Sequence, residues 1–174
     1  NGDTAIVGSQ YSYLPSWISF IGDQRKSVEF GRMMINAIHQ RWATLPPQRR
    51  PQLLLYGESL GSMAGQGAFD WLPDISRMGF SSVLWVGPPN ASSLWHAITV
   101  RRDPGTPEVK PRYDNGRTVR FSQGNDPAQI ARDAATPWDG TRVLFLQHPS
   151  DPIVWWSQDL LFTKPDWLSE PPGR

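Results

Sequence analysis

The chain has no cysteine, which excludes a disulfide framework, a thiolate zinc site and a cysteine nucleophile. That absence says nothing about compartment, because oxidising and reducing environments both tolerate it. No apolar run reaches the roughly 18 residues that a membrane-spanning helix needs. Charge of one sign is also missing. Seventeen Lys and Arg against sixteen Asp and Glu leave a formal net charge of +1, whereas a nucleic-acid binder normally presents a strongly basic face. Histidine is scarce, at three residues, which limits the choice of any catalytic base.

What is present suffices for a core. At 39% hydrophobic residues the chain is not disordered, and 174 residues make one domain or a large piece of one. Seventeen prolines are about twice the usual share of about 5% and crowd the loops. Nine tryptophans select no function by themselves, since Trp serves cores, interfaces and membrane boundaries alike. The chain opens at Asn1-Gly2-Asp3 and stops at Pro171-Pro172-Gly173-Arg174; residues 1–174 are expected to be a single, incomplete domain truncated at both ends.

Four short apolar runs, at residues 4–8, 52–56, 82–86 and 142–147, predict buried strands. The stretch 10–21 suits an ordered loop. Asp23 is placed to cap a helix running to about Leu45, with Gly31, Ile35, Ile38, Trp42 and Leu45 on one face, and Pro46-Pro47 stops it. A glycine- and alanine-rich helix is expected from about Leu60 to Leu72, ended by Pro73. Residues 90–138 show only weak patterning, with short helical or hairpin pieces near Leu94 and at 118–121. Strands alternating with helices predict the α/β class: a mostly parallel sheet, flanking helices, and an irregular insertion between the third and fourth strands.

Gly57-Glu58-Ser59-Leu60-Gly61 matches G-x-S-x-G. The bare pattern is weak, but it directly follows an apolar run and opens a helix, the strand-to-helix turn the motif requires. Ser59 is therefore the candidate nucleophile. The flanking glycines would let strand and helix approach without colliding Cβ atoms. The Leu60 N–H, at the helix start, is the candidate oxyanion donor. Ser9 or Gln10 is considered as a second donor, beside a loop upstream of Asn1. The alternative is a glycine-bounded turn without chemistry.

A serine needs a base, and the base an orienting acid; in this class the order along the chain is Ser, Asp/Glu, His. Asp151 follows the fourth strand in Gln147-His148-Pro149-Ser150-Asp151-Pro152, at the strand end where the acid belongs. It is the candidate acid, with a turn or capping aspartate as the alternative. Glu58, the motif's variable residue, reads as structural. His39 and His96 both precede Asp151, and His148, three residues from it, is poorly placed to bridge acid and nucleophile. The base is expected outside the chain.

These strings carry a resemblance. Tyr56-Gly57-Glu58-Ser59-Leu60-Gly61-Ser62, Val86-Gly87-Pro88-Pro89-Asn90 and Leu146-Gln147-His148-Pro149-Ser150-Asp151-Pro152-Ile153-Val154-Trp155-Trp156 resemble a bacterial α/β-hydrolase family whose catalytic domain follows a multi-spanning membrane region. Gln10-Tyr11-Ser12-Tyr13-Leu14-Pro15-Ser16-Trp17 and Pro165-Asp166-Trp167-Leu168 fit it too, so the resemblance covers essentially the whole chain. It implies Ser59 as nucleophile and Asp151 as acid, with no counterpart here for the family's histidine. The family's substrates are poorly defined, so the resemblance delivers none; the reading of the residues is a serine hydrolase of carboxylic esters or thioesters, with a small-molecule or lipid ester as substrate, no nucleic acid, and no metal or organic cofactor. Membrane association would come only through a segment absent from this chain. The competing class is a binding or regulatory module that keeps the fold without turnover. Two features stay open. The basic stretch Arg101, Arg102, Lys110, Arg112, Arg117 and Arg120 reads as a cap for an anionic group or as a solvated loop. Trp155-Trp156 reads as an acyl pocket lining or as core.

Overall fold

The computed structural model describes residues 4–10, 22–124 and 126–170; the loop expected at 10–21 lies, beyond Gln10, outside them. Four strands form one sheet: β1 (Leu53–Glu58), β2 (Phe80–Val86), β3 (Val119–Ser122) and β4 (Arg142–Leu146), in the order β1-β2-β4-β3. Every pairing is parallel, with Tyr56 opposite Leu84, Trp85 opposite Phe145, and Phe121 opposite Phe145. Parallel neighbours need crossovers, and helices supply them. The helix α1 (Gln24–Ala43) precedes β1, while α2 (Leu60–Gln66) and α3 (Leu72–Arg77) join β1 to β2. Next, α4 (Ser93–Val100) leads from β2 toward β3, α5 (Pro127–Ala135) joins β3 to β4, and α6 (Pro152–Trp155) follows β4. The step from β3 to β4 runs back across the sheet, so the right-handed rule puts α5 on the face opposite α2 to α4. Arg120, alternating with buried Val119 and Phe121, donates to the Thr136 carbonyl just past α5.

One sheet face is the core. Val83, Trp85, Val119, Phe121, Val143 and Phe145 are buried there with Ile35, Ile75, Leu94, Trp95, Ile98, Val154 and Trp155. On the other face Leu54 is 68% exposed and Tyr56 60%. The helix α1 uses its expected face, burying Gly31 and Ile35. It crosses α2 so closely that a Cβ on Gly31 would lie 2.2 Å from the Ala64 carbonyl oxygen.

Several expectations need correction. Residues 4–8 form no strand: Ile6 is 91% exposed and Val7 65%. Apolar, β-branched composition makes a strand only where a neighbour accepts its ladder hydrogen bonds, and among the described residues none pairs with this run. The fourth strand is instead β3, where a helical or hairpin piece was expected. Arg120 interrupts its apolar run, yet the side chain is accommodated by stacking over Trp138 at 3.7 Å and donating to the Gly116 carbonyl. The irregular part of the insertion is the stretch 101–118. The helix after Ser59 ends at Gln66, short of Leu72, and Pro73 sits in the first turn of α3 rather than ending a helix. Proline is tolerated there because first-turn amides lack intrahelical acceptors. Asp23 makes no side-chain cap bond; its carboxylate pairs with Lys26 at 2.9 Å. Among the described residues no helix is long and apolar enough to cross a membrane.

Candidate active site

Ser59 stands between β1 and α2 with φ 51° and ψ −119°. A positive φ on a residue with a Cβ costs of order 1–3 kcal/mol and persists only where the surroundings impose it. Here they do. The Ser59 N–H donates to the Val86 carbonyl at 2.9 Å, and the Ser59 carbonyl accepts the Met63 N–H at 3.2 Å, so the residue is held by the end of β2 and by the first turn of α2. A Cβ on Gly57 would lie 2.6 Å from the Gly61 carbonyl oxygen, so only glycine lets the helix fold back so sharply. Gly61 has no such need, since nothing lies within 4 Å of its Cβ position. The Leu60 side chain is buried with Met63 against Val28, and its N–H opens α2, in the turn whose amides have no intrahelical partner.

Asp151 lies on the same edge of the sheet, past the end of β4. Its Oδ2 is 3.4 Å from where a Gly87 Cβ would sit. Gly87 directly follows Val86, the residue that accepts the Ser59 N–H, and its own N–H donates to Leu146 at 2.8 Å. Serine, Gly87 and carboxylate therefore follow one another along the C-terminal ends of β1, β2 and β4, where ligands bind in open α/β sheets. The turn before Asp151 is pinned at the His148 carbonyl, which accepts the Asp151 N–H at 3.1 Å and the Trp155 indole N–H at 3.0 Å.

The other candidates separate. Glu58 is exposed and accepts the Tyr56 hydroxyl at 2.9 Å; that bond, ahead of burial and the carboxylate's charge, raises the Tyr56 pKa. Asp103 accepts the amides of Asp114 and Asn115 at 3.0 and 2.9 Å. The Ser9 hydroxyl donates to Met34 Sδ at 2.7 Å. His39 stacks on Trp42 within α1, with 6.1 Å between ring centroids, and His96 is exposed on α4. The exposed His148 accepts the Ser150 N–H at Nδ1, 3.2 Å. A neutral imidazole accepting there carries its proton on Nε2, the reverse of the tautomer a triad base needs.

Part of the basic stretch is engaged within the protein, while Arg112 and Arg117 are exposed. Arg101 lies over the Trp71 ring at 4.9 Å, and Arg102 donates to the carbonyls of Thr99 and Thr106 and to Asp166. Lys110 pairs with Asp126, whose pKa falls because of that bond and the Gln129 amide. Trp155 belongs to the core, whereas Trp156 is 47% exposed. Among the described residues no cluster of three or more His, Asp and Glu could hold a metal ion.

The family model described as "Alpha/beta-hydrolase family" matches residues 1–174. The chain belongs to the alpha/beta-hydrolase family. No curated protein and no solved structure matches it. Membership accounts for the parallel sheet with flanking helices and supports a hydrolase-type fold.

Proposed function

We propose that this alpha/beta-hydrolase domain is a serine hydrolase acting on a carboxylic ester or thioester. The observation that carries the reading is Ser59 at positive φ, on a strand-to-helix turn at the C-terminal edge of the sheet. In this reading Ser59 Oγ attacks the acyl carbonyl as its proton passes to an imidazole. The Leu60 N–H stabilises the oxyanion, and Asp151 orients the imidazole and stabilises its charged form. The proton then goes to the departing alcohol or thiol, leaving an acyl-enzyme that water cleaves to the carboxylic acid. The hydrogen bond at His148 Nδ1 argues against that residue as base, so the reading takes the imidazole from outside residues 1–174. By its resemblance, the domain follows a multi-spanning membrane region in the parent protein, a placement that fractionating cells expressing the full-length protein tests.

The test of the chemistry is covalent. A fluorophosphonate probe added to the full-length protein should modify Ser59, located by peptide mass spectrometry, and Ser59→Ala should abolish the modification. Labelling at another residue, or none in a folded protein, overturns the reading. The orientation of His148 also favours a second reading, a binding module that keeps the fold without turnover; the same probe, left unreacted, would support it.

A further inference from the structure

We infer that Trp95 and Gln147 are positioning residues, which fix the Asp151 turn relative to the helix that begins at Ser59; the inference rests on the serine hydrolase reading. A continuous chain of buried polar contacts joins the two places. On α2, Gln66 Nε2 donates to Ser62 Oγ at 3.0 Å, and Gln66 Oε1 accepts the Trp95 backbone N–H at 2.8 Å. That amide lies in the first turn of α4, where Ser92 makes no side-chain cap bond, so a glutamine from another helix satisfies it. The indole N–H of the same tryptophan donates to Gln147 Oε1 at 2.7 Å. Gln147 is tied by its side chain to the Val109 carbonyl at 3.3 Å and by its backbone N–H to the Ser122 carbonyl at 2.9 Å. The next residue, His148, carries the carbonyl that binds Asp151 and Trp155, and Trp155 packs edge-on against Trp95 at 5.8 Å.

Ser62, Gln66 and Trp95 are fully buried, and Gln147 and Trp155 nearly so. Aliphatic side chains would fill this space without directional bonds. The carboxamide oxygens of Gln66 and Gln147 and both N–H groups of Trp95 are paired, and a buried polar group left unpaired is costly, so the chain favours one spacing between its ends. Trp95 sets that spacing, with one carboxamide oxygen at its backbone N–H and another at the N–H of its rigid indole. Ser62 lies three positions after Ser59 and Gln147 four positions before Asp151, so a shift anywhere along the chain moves the acid relative to the nucleophile.

The test uses the full-length protein, p-nitrophenyl butyrate, and kcat/KM measured across pH for wild type, Trp95→Phe, Gln147→Leu, Gln147→Glu, Asp151→Asn and Ser59→Ala. Trp95→Phe keeps an aromatic ring but removes the indole N–H. It should lower kcat about tenfold to hundredfold with KM retained, the scale of a small misplacement. It should also move the acid limb of the profile to lower pH, as Asp151→Asn does, because an imidazole that loses its carboxylate is more easily deprotonated. Gln147→Leu should do the same, the double variant should be no worse than either single one, and Gln147→Glu, which keeps an acceptor for the indole but loses the donor to the Val109 carbonyl, should restore the limb only in part. A lowered Tm with an unmoved acid limb in both Trp95→Phe and Gln147→Leu makes the residues structural only and overturns the inference. Wild-type rates in Ser59→Ala overturn the hydrolase reading and this inference with it.

Discussion

Ser59 and the glycines around it show how one residue's backbone carries a functional reading. The G-x-S-x-G string is short and common, and became informative through the apolar run before it and the small residues after it. Its two glycines proved unequal. A Cβ at Gly57 would strike the Gly61 carbonyl, whereas a Cβ at Gly61 meets open space. Gly57→Ala should therefore lower stability by about 1–3 kcal/mol, the usual cost of overpacking. Gly61→Ala should hold stability or raise it by up to about 1 kcal/mol through helix propensity. Urea denaturation of the two variants checks both, and equal losses would mean that the turn tolerates no side chain on either flank. Asp151→Asn should reduce kcat by about four orders of magnitude, the loss seen when an imidazole is held in the wrong tautomer. His148→Ala should leave most of the activity. Steady-state hydrolysis of p-nitrophenyl butyrate distinguishes the pair, and collapse on His148→Ala would move the base into this chain.

Among the elements, the strands were largely legible because each of β1, β2 and β4 is written as an apolar run, even though Leu54 and Tyr56 of β1 are exposed. The two failures share a physical cause: strand formation depends on the neighbour as well as the sequence. Residues 4–8 have the composition without a strand partner among the described residues, while β3 has a partner in β4 despite Arg120. Its alternation Val119-Arg120-Phe121 was the available signal, since an arginine between two apolar residues suits a strand with one polar face. The contacts between Gln66, Trp95 and Gln147 were not legible, because they join residues 29 and 52 positions apart whose pairing only the fold decides. The stretch 101–113 is also held by distant residues. Glu170 accepts the amides of Glu108 and Val109, and Glu108 accepts the Trp167 N–H at 3.2 Å. Burial raises the Glu108 pKa above the ordinary 4.5, outweighing the Trp167 amide and the Arg102 charge, which lower it. The folded protein thus holds this proton more tightly than the unfolded chain. Its contribution to stability is fully present below pH 4.5 and is lost as pH rises through the raised value. Glu108→Gln should flatten that part of the stability profile, read from urea midpoints across this range. An unchanged slope would place the pH dependence elsewhere.

For the whole molecule, the sheet explains why the candidate groups meet. Parallel strands all end at one edge, and β1, β2 and β4 are consecutive neighbours there, so the residues after them fall side by side whatever their separation in sequence. Ser59, Gly87 and Asp151 are those residues. The sheet also leaves Leu54 and Tyr56 of its edge strand exposed on the face away from the one that holds Trp85, Trp95 and Phe145. The central claim is that this edge is a nucleophilic site. The measurement that tests it most directly is the rate of p-nitrophenyl butyrate hydrolysis by the full-length protein, compared with its Ser59→Ala variant at equal folded concentration. The account predicts wild-type turnover faster by about three orders of magnitude or more, since a triad without its serine retains only oxyanion stabilisation and binding. Equal rates would contradict it.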